Sequence, residues 1–259
     1  MPDTTVFMIP TVFSSSWGDY FILGVMVLLG VLAIVFFGEQ DKHDPNVHSP
    51  KLAWLRAGMF FCGAFVISWC TGVFSHIVSS PLATPAQISN PIWLGMTGLC
   101  VALVVWGYLY WWPRGTVTHG RKSYPLPSIV FGMAWGLSAA QLQLSLFAIL
   151  EEFQFGRAAT GVLVFLFYGT YNLNFQQLWW DIRISPPHNI RATNAKKVLF
   201  AHMPFLIVSL AYFTVYGNAA IFVLLQGVAL AAAVVAMRFP PFWAEDGKDP
   251  VSRETAIGI

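Results

Sequence analysis

The sequence predicts an all-α integral membrane protein: a single bundle of seven transmembrane helices, amino terminus outside and carboxyl terminus in the cytoplasm. Three observations carry that expectation. Apolar types make up 56% of the 259 residues and charged types only 10%, well under the roughly 25% typical of soluble domains, so the chain cannot cover a water-facing surface. The apolar residues fall in seven runs of spanning length. The charges are sorted by side: of the 14 Lys and Arg residues, all but Arg157 fall on alternate connections. The same inventory excludes a disordered chain, a coiled coil and a nucleic-acid-binding protein.

A span needs about 20 predominantly apolar residues. The first run is Tyr20–Gly38, the second Leu52–Val78 and the third Ile92–Trp112. Between Ala57 and Pro113 there is no Asp, Glu, Lys or Arg. Runs two and three are therefore divided only by a turn-rich connection, Ser79-Ser80-Pro81 through Pro85 to Asn90-Pro91. Ser128–Leu150 and Ala158–Trp180 are the fourth and fifth. Val198–Tyr216, the sixth, contains Pro204, which removes a helical hydrogen bond and predicts a kink near His202. Gly217 alone separates it from the seventh, Asn218–Met237, which predicts a tight helical hairpin. Residues 1–239 then form one transmembrane domain and 240–259 a polar, mobile cytoplasmic tail.

Threading follows from the excess of basic residues on cytoplasmic loops. Lys42, Lys51 and Arg56 lie after the first span, Arg114, Arg121 and Lys122 after the third, and Arg183, Arg191, Lys196 and Lys197 after the fifth. Arg238, Lys248 and Arg253 follow the last span. The opposite side holds Arg157 with Asp3, Asp19, Glu151 and Glu152. The expected location is the plasma (inner) membrane. Met1 to Tyr20 has no Lys or Arg, so no cleavable secretory signal is expected. Cys62, Cys70 and Cys100 lie inside apolar runs, which argues against a disulfide framework or a Cys-rich metal site.

Seven helices with an outside amino terminus share the topology of rhodopsins. A retinal Schiff base needs a lysine in the membrane interior, and every lysine here is in a loop or the tail. That chemistry is excluded.

The richest stretch for chemistry is Tyr168 to Asn189. Tyr168, Asn172 and Gln176 stack at helical steps of four, and Thr170, Asn174, Gln177 and Asp181 form a neighbouring stripe. Carboxamides are costly in lipid unless they face partners or water. They admit two readings: a polar cavity open to the cytoplasm, or hydrogen-bonded glue between helices. Ser138, Gln141, Ser145 and Glu152 form one face of the fourth span. Ser68, Thr71 and Ser75 repeat the rhythm on the second, where small hydroxyls read as packing positions. Glu151, Glu152 and Arg157 read as a capping and ion-pair cluster. Trp111, Trp112, Trp179, Trp180 and Trp243 fall near the cytoplasmic interface and Trp17 and Trp93 near the outer one, as in aromatic belts.

Asp181, His188 and His202 converge on the cytoplasmic side, where carboxylate and imidazole can do acid–base work. No HxxxH, HxxH or HExxH spacing is present, so no metal site is expected, and the sequence names no cofactor. The pattern fits first a membrane-embedded enzyme acting on a hydrophobic small molecule of the lipid or isoprenoid class. Asp181, His188 and His202 would be its catalytic groups. Gln141, Tyr168, Asn172, Asn174, Gln176 and Trp180 would hold the substrate. It also fits a transporter or channel for a small neutral solute, or a non-catalytic subunit of a larger complex. The expected partners are membrane lipid, that small molecule, and a membrane protein or second copy of the chain.

Overall fold

The computed structural model describes residues 47–48, 50–112, 122–174, 198–244 and 247–248. Helix α1 spans Pro50–Cys70, α2 Val73–Ser79 and α3 Pro85–Ile88. Helix α4, Pro91–Val104, runs on as a π-helical stretch, Val105–Trp111. Helix α5 spans Pro125–Glu151 and α6 Arg157–Asn174. A π-helical turn, Val198–His202, leads directly into α7, Met203–Tyr216, and α8 spans Ala219–Ala236. Two short strands, β1 (Val47–His48) and β2 (Gly247–Lys248), pair antiparallel.

Among the described residues, five helices are long and apolar enough to cross a membrane: Ala53–Cys70, Pro91–Trp111, Pro125–Glu151, Leu199–Tyr216 and Ala219–Ala236. The chain is accordingly a multi-pass, all-helical membrane protein. These five correspond to the second, third, fourth, sixth and seventh runs of the sequence. The fifth run is α6, whose apolar part Arg157–Gly169 is shorter. The first run, Tyr20–Gly38, lies outside the described residues.

Helix α5 is the centre of the bundle. Of its span 78% is buried, against 28% for the span built on α4. Its closest neighbour is α8, and the reason is glycine. A Cβ at Gly132 would fall 2.6 Å from the Ala231 amide nitrogen, and one at Gly136 would fall 2.6 Å from the Gly227 Cα. The two backbones touch because the facing positions at the crossing are glycine and alanine. Gly132 and Gly136 are four residues apart, with Gly227 and Ala231 opposite at the same spacing. In lipid, where apolar burial gives helices no net drive to associate, such close contact supplies the packing energy instead.

The second run is two helices, not one. Leu52–Val78 is broken at Thr71-Gly72, where Gly72 takes a left-handed conformation at φ 74°. The Thr71 hydroxyl donates to the Ile67 carbonyl at 2.9 Å, which helps end α1. Near Pro204, where the sequence predicts a kink, the chain is π-helical from Val198 to His202. Proline has no N–H to donate to the preceding turn, so the regular α ladder begins only at Met203. The tight hairpin is also present: Gly217 is left-handed at φ 65° and Asn218 caps α8. The Asn218 amide also donates to the Leu82 carbonyl at 2.8 Å, tying this hairpin to the connection before α4.

The helix ends sort into two groups. At one end Trp54 donates to the Pro240 carbonyl at 3.1 Å, Ser128 to the Phe239 carbonyl at 3.1 Å, and Trp112 contacts the Met237 sulfur at 3.1 Å. At the other, Arg157 and Glu151 pair at 3.5 Å. Trp93 and Trp112, both at helix ends, are buried, Trp112 stacked on Tyr108 and Trp93 against Tyr212, because their helices turn those positions toward α7 and α8.

Candidate functional site

The two π-helical segments meet. A Cβ at Gly107, in the first, would lie 3.1 Å from the Ala201 backbone in the second. Next to that contact the Tyr108 hydroxyl hydrogen-bonds His202 Nδ1, both side chains being buried. A π turn adds a residue per hydrogen-bonded ring and re-aims the side chains after it. Such turns are frequent at functional positions. Here two of them present a tyrosine and a histidine to each other in the interior.

The polar cluster extends beyond this pair. The Tyr108 hydroxyl lies within electrostatic range of the Tyr168 hydroxyl on α6, and Tyr168 in turn faces the Gln143 side chain on α5. Gln143 is fully buried. His202 is 1% exposed, and its Nε2 has no hydrogen-bond partner. Trp112 stacks on Tyr108 with centroids 5.5 Å apart, and Phe205 meets its edge at 5.5 Å, so the walls are aromatic. Below the cluster Met203 packs on Gly169.

The hydrogen bookkeeping indicates what the site offers. If the Tyr108 hydroxyl donates to Nδ1, the neutral imidazole carries its proton on Nε2. The reverse arrangement leaves the buried phenol proton without an acceptor. The first leaves fewer orphans. Nε2–H is then a buried donor aimed at nothing in the protein. The Gln143 amide carries two more N–H donors, of which Tyr168 can accept at most one. An unmet buried donor costs about 1–3 kcal/mol, which an arriving acceptor would recover.

Of the residues expected to form a site, the fold brings His202 and Tyr168 into this cluster. Gln141 lies elsewhere. Two residues before Gln143 on a helix is about 200° around its axis, so it faces α1. There it accepts a hydrogen bond from Ser68 at 2.7 Å and donates to the Leu137 carbonyl at 3.2 Å. Thr71 and Ser145 pair beside it at 3.1 Å. The hydroxyl stripe of the second run and the polar face of the fourth thus bond to each other and join α1 to α5. Asn172 and Asn174 fall in the last turns of α6, where only the backbone is described. Gln176, Trp180, Asp181 and His188 lie outside the described residues. Two cluster members, Tyr108 and Gln143, escaped the sequence reading. Tyr108 sits in an aromatic run beside Gly107, and Gln143 is offset from the hydroxyl stripe. The glycine and the offset were the available signals.

The Ser68–Gln141 bond yields a measurable expectation. Ser68→Ala leaves a buried amide oxygen unmet and should cost about 1–3 kcal/mol, whereas the double variant Ser68→Ala/Gln141→Leu should recover most of that. A double-mutant cycle in thermal or denaturant unfolding checks it. Additive losses would mean that the bond is not made.

Among the described residues no three His, Cys, Asp or Glu side chains stand where they could hold a metal ion together. All three cysteines are free. Comparison with protein-family models, with curated proteins and with solved structures finds no match to this chain. What fold and site define is a class: a multi-pass membrane protein with a buried, uncharged polar cluster at a pair of π-helical turns.

Proposed function

We propose that this protein is a membrane-embedded enzyme acting on a hydrophobic small molecule of the lipid or isoprenoid class. The polar end of the substrate would enter the cluster at Tyr108, Tyr168, Gln143 and His202. The observation that carries the reading is the unmet Nε2 of His202, buried and held in place through Nδ1, in a cluster that includes a second under-satisfied group, Gln143. His202 presents its Nε2 proton and Tyr108 fixes that tautomer by donating to Nδ1, as an orienting partner does for a general acid. In this reading Tyr168, Asn172, Asn174, Gln176 and Trp180 would hold the substrate, and Asp181 and His188 would be catalytic groups together with His202. The transport reading is weaker, because Gln141, Ser68, Thr71 and Ser145 bond to one another instead of lining a path.

Co-extracted small molecules test this. Protein purified in mild detergent should carry lipid- or isoprenoid-class species, identified by mass spectrometry, that His202→Ala protein has lost. Identical profiles from the two would overturn the reading.

In the threading that accompanies this proposal, seven spans cross the plasma (inner) membrane. The end of the bundle around Trp54, Ser128 and Met237 is cytoplasmic. On a background without Cys62, Cys70 and Cys100, Ser123→Cys should react with an impermeant thiol reagent only from the cytoplasmic side, and Gln154→Cys only from outside. Labelling of both from one side would refute the orientation.

A further inference from the structure

We infer that the polar end held at this cluster is uncharged and bears carbonyl oxygens, as in the head of a quinone-class amphiphile. The inference rests on the reading just proposed and names the substrate class for it. The first ground is the donors of the site. Its unmet groups include N–H on two residues, the Nε2 proton of His202 and the amide protons of Gln143, whose Oε1 is unmet as well. The N–H groups seek an acceptor, which an ammonium or an alkane does not supply.

The second ground is charge. Among the described residues, the ionisable groups that act on one another here are Tyr108 and Tyr168, and no Lys, Arg, Asp or Glu acts on either of them or on His202. Among the described residues a carboxylate or phosphate at this cluster would lose its hydration without gaining a counter-charge, at a cost of several kcal/mol. A cationic head would fail for the same reason. A carbonyl oxygen loses little and is met by the waiting donors.

The third ground is shape. The donors come from two sides, His202 on the π turn before α7 and Gln143 on α5, with the tyrosine pair between them. The wall beside His202 is built of Tyr108 stacked on Trp112, with Phe205 at its edge. A flat ring with a carbonyl on each side can use both donors and the aromatic wall, which a single-carbonyl head cannot. Leu199 and Phe200, next to His202 in the chain, are exposed on the outside of the bundle, where an apolar tail can lie in lipid.

The test uses the full chain in lipid nanodiscs, with decylubiquinone as probe and decanoate and decylamine as charged-head controls. Saturable binding of decylubiquinone is expected, together with a lowered carbonyl stretch in isotope-edited infrared spectra. His202→Phe and Gln143→Leu should each weaken binding about tenfold or more. Both controls should bind no better to the wild type than to His202→Phe. The infrared shift is read on the wild type, so the outcome stands even where a variant fails to fold. If decanoate or decylamine binds in a His202-dependent way, the uncharged-head inference is overturned. If decylubiquinone fails while a co-extracted lipid is still lost in His202→Ala, the inference is overturned and the enzyme reading survives. If no probe binds and no co-extracted species depends on His202, both fall.

Discussion

Gly136→Val should unfold the bundle or leave it incompletely packed. A Cβ at this position would meet the Gln226 backbone and the Gly227 Cα, neither of which can rotate away. To admit two further methyl groups, α5 and α8 must separate along their whole contact. Overpacking a well-packed interior costs about 1–3 kcal/mol and sometimes more. Here the strain falls on backbone, so at least about 3 kcal/mol is expected, a large share of the roughly 5–15 kcal/mol that keeps a domain folded. Separation would also stretch the bond from the Gln226 amide to Ser209, now 3.1 Å and buried between α7 and α8. Gly58→Ala and Gly95→Ala are the matched comparisons, because a Cβ at either meets nothing within 4 Å. They should be neutral or stabilising by up to about 1 kcal/mol, through helix propensity alone. Thermal unfolding in detergent, with the yield of monodisperse protein, reads all three. Equal stability of Gly136→Val and Gly95→Ala would show that the glycine contact is not what joins the two helices.

His202→Ala should abolish function and lower stability, and the two effects can be separated. Stability falls because the Tyr108 hydroxyl loses its partner in a buried setting, at about 1–3 kcal/mol. Function falls because the Nε2 donor is gone, and a general acid–base group is worth about 10²–10⁴ in rate. The double variant Tyr108→Phe/His202→Leu removes both partners together. It should regain most of the stability, since two apolar groups replace a hydrogen-bonded pair, yet recover no activity or ligand retention. Tyr108→Phe alone keeps the imidazole and frees its orientation, so it should reduce activity by about 10–100-fold without removing it. A His202 variant with wild-type ligand retention would dismiss the cluster as a functional site and leave it a packing device.

The spans were legible because lipid imposes a crude rule. About 20 apolar residues must stand together for a helix to cross, and a composition count finds them. The third, fourth, sixth and seventh runs therefore match their helices, π-helical stretches included, to within three residues at either end. The break at Thr71-Gly72 was not legible, because glycine is tolerated within membrane helices and only a left-handed φ makes it a stop. His202 stood out beside Pro204 for a local reason, the missing N–H. Tyr108 did not, because nothing in an aromatic run says which ring turns inward.

By itself the sequence determined the environment, the run of the helices and the sorting of charge, since each depends on residue type and spacing along the chain. The tertiary structure decided which polar groups meet. Gln141 and Gln143 are two residues apart and chemically identical, yet one joins α1 to α5 through Ser68 and the other faces Tyr168. The difference is the angle at which α5 is held, and that angle follows from Gly132 and Gly136 lying against α8. A helix has one sequence but many possible rotations about its axis, and only its packing against neighbours selects among them.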